Sequence, residues 1–282
     1  MSFFKQFPNI PYDFDRNGIF QNVVNIYRHV RPLKAFADEL NTYTFYQVKN
    51  GERPDLVSYR LYGTTEYYWT FFILNDFLHD GLAAWPMSQE KLHDYMAEEY
   101  EGVVITTKPS PGDSGDAGVA FGLSPNSIAG RFTLGETITG TTSGATGTLV
   151  KKNTDMNQLV LQDVSGAFIG SSGGYGRPST ATENVNGSTN QDNVNTYDVY
   201  NYIDAPHSYY LIGDGDRRQE TNANFIPGGT VSNILEFQTN RSYLFEANEA
   251  RSSIKIIDPK YIGAFVDEYQ RLLNNDWFRR KW

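Results

Sequence analysis

Side chains able to do chemistry are sparse in this sequence and scattered along it. The four histidines, His29, His79, His93 and His207, lie far apart, and none has the spacing that metal ligation by one element requires. Each reads as a surface or core histidine. Gly213-Asp214-Gly215-Asp216 offers carboxylate oxygens to a calcium ion, but the distal bidentate Glu of a calcium loop is missing and a plain turn is the better reading. Ser143-Gly144-Ala145-Thr146-Gly147 is glycine-rich without the lysine and following helix of a phosphate cradle, so it reads as a β-turn. Glu98 and Glu99 are adjacent on an acidic helix face, whereas glycoside hydrolysis needs two acids across a cleft about 5 to 10 Å apart. Asn186-Gly187-Ser188 matches a glycosylation acceptor, but the start, Met1 to Pro8, lacks a basic segment followed by an apolar one, so the triplet reads as a flexible turn. With no Cys there is no disulfide, thiolate ligand or cysteine nucleophile. The expectation is a protein with no catalytic site, no metal and no cofactor.

Bulk composition narrows the class further. In 282 residues, 24 Lys+Arg against 33 Asp+Glu leave a net charge of −9. That gives no electrostatic footprint for a phosphate backbone, and no nucleic-acid partner is expected. Apolar clusters such as Tyr67 to Leu74 fall far short of the roughly 20 residues of a membrane span. The unusual feature is aromatic: Tyr 19, Phe 18 and Trp 4 make 15% of the chain. Such rings suit cores and protein interfaces alike.

The elements that must position these residues follow from caps and periodicity. Arg53-Pro54-Asp55 places Pro where a helix starts, and Leu56, Val57, Tyr59, Leu61 and Tyr62 give an amphipathic turn pattern up to Gly63. A second helix follows, capped by Thr64 or Thr65, with Glu66 in its first turn, Tyr68, Trp69, Phe72 and Ile73 on its buried side, and Asn75-Asp76 at its end. Ser88 is the N-cap candidate of a third, with Leu92, Tyr95, Met96 and Tyr100 at three- and four-residue spacing and Asp94, Glu98 and Glu99 toward solvent.

From about Lys108 to Asn195 the composition turns to Gly, Ser, Thr, Asn and Pro, with short β-branched runs at Gly130–Gly140, Ser143–Val150, Leu159–Leu161 and Val164–Phe168. This reads as an inserted small all-β domain with flexible flanks, and Ser179–Asn195 as a linker. Phe132-Thr-Leu-Gly135 has a weaker echo in Phe168-Ile-Gly170, compatible with two halves of one small barrel. Past it, Tyr197-Asp-Val-Tyr200-Asn-Tyr202 restores the aromatic character. Ser253–Ile257 reads as a strand and 259–273 as a helix, with Asp258 as cap, Pro259 at its first position and Ile262, Phe265, Val266, Tyr269, Leu272 and Leu273 on one face. Trp277-Phe278-Arg279-Arg280-Lys281-Trp282 is a basic aromatic tail.

The run Tyr46-Gln-Val48-Lys-Asn-Gly51-Glu-Arg53-Pro54-Asp-Leu56-Val57-Ser-Tyr59-Arg-Leu61-Tyr62-Gly63, followed by Tyr67-Tyr68-Trp69, Leu74-Asn75-Asp76 and Trp85-Pro-Met-Ser88-Gln89-Glu90, resembles the baseplate wedge protein of contractile-tailed bacteriophages, the inner-baseplate family with a LysM-like segment. The likeness covers about 1–105 and 240–275. The β insertion departs from the short family members, although its glycine phrases are similar to small β modules of other phage structural proteins. The resemblance implies an α+β fold: a LysM-like βααβ wedge domain completed by the C-terminal segment, with the β domain inserted. Its divisions are 1–107, carrying the LysM-like segment at about 43–76; 108–195, the insertion; and 196–282, with strand 254–257 and helix 259–273. Tyr43–Val48 and Ile254–Ile257 are expected to pair across the insertion. The implied role is structural and non-enzymatic. The chain would join neighbouring wedges around the central hub of a sixfold tail baseplate, in contact with other wedge proteins and the hub, located in the virion and assembled in the host cytoplasm. The alternative is a peptidoglycan-binding or wall-degrading tail component acting through the LysM-like segment. Hot-spot composition favours Arg53, Tyr62, Tyr67, Tyr68 and Trp69, with Trp277, Phe278, Arg279, Arg280 and Trp282 of the tail, as interface residues.

Overall fold

The computed structural model describes residues 7–25, 42–107, 128, 130–170, 182–212, 218–221 and 235–274. In chain order the elements are β1 (Asn9–Tyr12), β2 (Gln21–Val24), β3 (Tyr43–Gln47), α1 (Pro54–Tyr62), α2 (Trp69–Leu74), α3 (Gln89–Glu99) and β4 (Val103–Thr107). They continue with β5 (Thr137–Gly140), β6 (Thr146–Asn153), β7 (Gln158–Ser165), β8 (Asn184–Gly187) and β9 (Asn193–Asn201). After these come β10 (Pro206–Ile212), β11 (Arg218–Thr221), β12 (Leu235–Thr239), α4 (Asn240–Ser252), β13 (Ser253–Ile257) and α5 (Ile262–Asn274). Helices and strands are mixed throughout, an α+β composition. The chain divides into two compact units, Met1–Lys91 with Ala247–Trp282 and Leu92–Glu246.

In the first unit β1 and β2 form a hairpin, and β3 pairs antiparallel with β13, Tyr43 opposite Ile257 and Gln47 opposite Ser253. The pairing expected between Tyr43–Val48 and Ile254–Ile257 is therefore present, and it joins segments more than 200 residues apart. Burial drives it: Ile254 and Ile256 pack with Val48, Val57, Phe71, Leu78 and Trp85, and Ile257 packs with Trp69 and the inner face of α5. α1 starts with Pro54 at its first turn and stops at Gly63, whose φ of +72° lets its N–H reach the Tyr59 carbonyl. Thr64 caps the turn after it by accepting from the Glu66 N–H. On α2 the buried residues are Trp69, Thr70 and Phe71, while Phe72 and Ile73 are half-buried. Tyr68, Phe72 and Ile73, expected on the buried side with Trp69, do pack against the core, and Thr70 and Phe71 are buried in addition. α5 begins at Ile262 rather than at Pro259. Asp258 instead makes a turn, its Oδ1 accepting from the Lys260 N–H at 2.9 Å and its carbonyl from Tyr261 N–H at 2.8 Å.

In the second unit six strands close into a barrel in the order β4-β7-β6-β5-β8-β9, every neighbouring pair antiparallel. Its interior holds Ile105, Ile138, Leu149, Leu159, Leu161, Val185 and Val194, with Phe132 and Phe168 also buried there. Alternation supplies this core: in β5 and β8 every second residue is buried and the Thr or Asn between is exposed. The segment read as a linker is thus in part barrel wall. Asn184, Asn186, Asn193 and Asn195 gave it a loop-like composition, but they point outward while Val185 and Val194 point in. The barrel also reaches back to Val103 and on to Asn201. β11, β10 and β12 form a separate three-stranded sheet.

Candidate functional site

The residues that drew attention in the sequence, from Tyr46 to Trp85, form a hydrogen-bonded frame around one buried carboxylate. Glu52, only 8% exposed, accepts from the Tyr46 hydroxyl at 2.9 Å and the Lys49 N–H at 3.0 Å, and pairs with Arg60. Its backbone carbonyl accepts from Trp85 Nε1 at 2.8 Å. Arg60 Nη1 also donates to the Tyr46 hydroxyl at 3.0 Å. Burial and then the hydrogen bond to Glu52 raise the Tyr46 phenol above its ordinary pKa, so it stays a donor. This arrangement fixes the turn into α1, where Gly51 holds a φ of +70°.

A second set of bonds fastens the helices to the C-terminal strand. Asn75, at the end of α2, presents both ends of its amide to the backbone of one residue, Lys255. Its Nδ2 donates to the Lys255 carbonyl at 2.9 Å, and its Oδ1 accepts from the Lys255 N–H at 2.8 Å. That edge of β13 faces away from β3, so the side chain does the work of a missing strand. The Tyr62 hydroxyl donates to the Ile257 carbonyl at 3.0 Å, and burial raises its pKa far above the phenol range. Beneath α1, the Ser58 hydroxyl donates to Thr64 O at 2.7 Å and accepts from Tyr67 N–H at 3.2 Å.

The structure separates the sequence candidates by burial. Trp69 is 3% exposed and lies in the core, its ring centroid 4.8 Å from that of Tyr269 and 6.3 Å from that of Phe265. It is a packing residue of the chain itself. Tyr62, Tyr67 and Tyr68 are half-buried around that same cluster. Arg53 is open to solvent beside Asp55. Trp277, Phe278, Arg279, Arg280 and Trp282, and likewise Gly213–Asp216, lie outside the described residues. Periodicity hid the outward pair: Leu56 and Tyr59 are 53% and 61% exposed. With Arg53, the N-cap residue before α1, they stand at three-residue steps, so the cap and one side of α1 show Arg, Leu and Tyr to solvent. Sequence reasoning also passed over Glu52 and Asn75. Both sat inside the diagnostic phrases, as the spacer after Gly51 and as a helix stop, and only their distant partners reveal their roles.

No group of three or more His, Cys, Asp or Glu among the described residues is arranged to hold a metal ion. Nor is any described helix long and apolar enough to cross a membrane. What the frame does is hold an exposed helix rigidly on a hydrogen-bonded base.

Residues 2–107 match the family model described as base plate wedge protein 53. This segment is that of a phage baseplate wedge protein. The match bears out the resemblance carried by the Gly-x-Arg-Pro-Asp, Leu-Tyr-Gly and Tyr-Trp phrases, and the wedge family points to a structural role in the phage tail baseplate among other baseplate proteins. Among curated proteins no sequence matches the chain. In the wedge segment the family phrases thus fall on the Glu52 frame, the ends of α1 and the Asn75 clamp, which are structural.

Proposed function

We propose that this chain is a non-enzymatic assembly protein that joins neighbouring wedges around the central hub of a sixfold baseplate, docking through the outer stripe of α1. The family match over the wedge segment carries the reading. The stripe supports it, because Arg, Tyr and a large aliphatic residue on a rigid base have the composition of a binding hot spot, and rigidity lowers the ordering cost of association. Arg53, Leu56 and Tyr59 make the contact; Tyr62, Tyr67, Tyr68 and Trp69 support it from below, and the basic aromatic tail Trp277–Trp282 adds a second anchor. We read β3, α1, α2 and β13 as a LysM-like unit used to bind protein rather than glycan, and their strand–helix–helix–strand order supports that reading. The chain acts in the virion after assembly in the host cytoplasm.

Light scattering of the full chain, alone and mixed with the other wedge proteins of its phage, tests this reading. A larger stoichiometric complex is expected, and Leu56→Asp with Tyr59→Asp should abolish it without moving the thermal midpoint, since both side chains are exposed. Retention on insoluble peptidoglycan without complex formation would overturn the reading and make the segment a glycan reader.

A further inference from the structure

The barrel contains a repeat in a different phrase from the Phe132 and Phe168 echo. Glu136-Thr-Ile138-Thr-Gly140-Thr-Thr142 and Glu183-Asn-Val185-Asn-Gly187-Ser-Thr189 share the pattern Glu-x-Ile/Val-x-Gly-Thr/Ser-Thr. The offset from Glu136 to Glu183 carries through the whole backbone. Gly140 N–H donates to Ala145 O at 2.8 Å, and Gly187 N–H donates to Asp192 O at 2.8 Å. Thr141 N–H donates to Asn184 O at 2.8 Å and Ser188 N–H to Thr137 O at 3.0 Å. Leu149 N–H reaches Glu136 O at 2.9 Å; Thr196 N–H reaches Glu183 O at 2.8 Å. The left-handed residue of each hairpin falls on the same place, Gly144 with φ +68° and Gln191 with φ +56°.

One of the two irregularities of β6 coincides as well. β6 slips register against β7 between Leu149 and Lys151, and β9 slips against β4 between Thr196 and Asp198. A bulge is a local feature that chance alignment of two barrel halves does not reproduce at the same step. β5-β6-β7 and β8-β9-β4 are therefore equivalent three-strand units, and the third strand of the second unit, β4, precedes the rest of the barrel in the chain.

The two glutamates tie the units together across the β5–β8 seam. Glu183 Oε2 accepts from Thr142 N–H at 3.1 Å and Ser143 N–H at 2.9 Å, both in the turn of the other unit. Glu136 Oε2 accepts from Thr189 N–H at 2.8 Å, in the turn that follows β8. Both residues are buried. Each carboxylate lies against the glycine of the opposite copy: a Cβ on Gly140 would come within 2.6 Å of Glu183 Oε2, and one on Gly187 within 2.7 Å of Glu136 Oε2. These glycines are needed for close approach.

We propose that the barrel is a duplicated three-strand unit locked by a reciprocal carboxylate latch, in which Glu136 and Glu183 each hold the hairpin turn of the opposite copy. The wedge segment supplies β4, the strand that completes the second copy and closes the barrel. Amide hydrogen exchange on the full chain tests both parts. Glu183→Gln should speed exchange at Thr142 and Ser143 about tenfold or more while leaving Thr189 unchanged, and Glu136→Gln should do the reverse, as expected when amides lose a charged acceptor. Equal loosening of both turns, or of neither, would overturn the latch. A variant that touches neither carboxylate, Asn184→Thr, Val185→Ile, Asn186→Thr and Ser188→Thr together, writes the first copy into the second. Retained protection of the β5–β8 seam is expected, and loss of that protection would overturn the equivalence of the copies.

Discussion

Glu52, Asn75 and Glu183 show how single polar side chains set local structure in this protein. Each is buried, and each satisfies backbone groups that the secondary structure leaves open, which makes it costly to replace. Glu183 also has a titration consequence. Burial by itself pushes its carboxyl up, but the Ile169 and Ser143 amides, the Ser143 hydroxyl and the Thr142 amide outweigh burial and hold it below the ordinary 4.5. A depressed folded-state pKa contributes stability that is fully present above the unfolded value and lost as pH falls through the folded one. Thermal unfolding followed by circular dichroism should therefore give a midpoint that is level near neutrality and drops below about pH 4.5. Glu183→Gln should lower the neutral midpoint and flatten that drop; an unchanged slope would show that the carboxylate is not the acid-sensitive group.

At the scale of elements, the hairpin turns carry the clearest unequal choice. Gly144 occupies a left-handed position at little steric cost, whereas Gln191 holds the equivalent position with a side chain. A non-glycine residue there costs about 1–2 kcal/mol, offset in part by the larger unfolded entropy of glycine. Gln191→Gly is expected to stabilise the chain by up to about 1 kcal/mol, and Gly144→Ala to destabilise it by a similar amount, read from denaturant midpoints at constant slope. α1 divides its residues differently: Val57 and Ser58 are buried in the fold, and Leu56 and Tyr59 face solvent.

For the whole molecule, the decisive feature is that neither unit is continuous with the composition boundaries of the sequence. The glycine-rich stretch starts after Thr107, yet β4 belongs to the barrel and pairs with both β7 and β9. Removing residues 108–195 should not release a tidy wedge protein. It strips β4 of β7 and of part of β9, exposing Val104 and Ile105, both fully buried in the intact chain. The expected result is aggregation on size exclusion and strong binding of a hydrophobic dye, whereas a monodisperse product with an unchanged near-ultraviolet spectrum would show that β4 is dispensable to the fold.

Caps, turns and strong periodicity made α1, the start of α3, β13 and the wedge phrases legible in the sequence, because Pro54, Gly63, Ser88 and the Ile254 to Ile257 run act on their own neighbours. The same locality explains what was hidden. Trp69 has the residue type of a binding hot spot and a spacing that suits burial, and its packing against Phe265 and Tyr269 decides for the core. β8 and the start of β9 alternate Asn with Val, and the closed barrel makes strands of them by burying Val185 and Val194. Glu52, Asn75 and the reciprocal glutamates likewise depend on partners brought close by folding. The sequence by itself determined the family of the wedge segment, the α+β class and most helix punctuation, since those rest on short-range sterics and capping. Tertiary structure alone decided which aromatic residues face solvent, where the barrel begins, and that its two halves hold each other, since those depend on contacts between residues far apart in the chain.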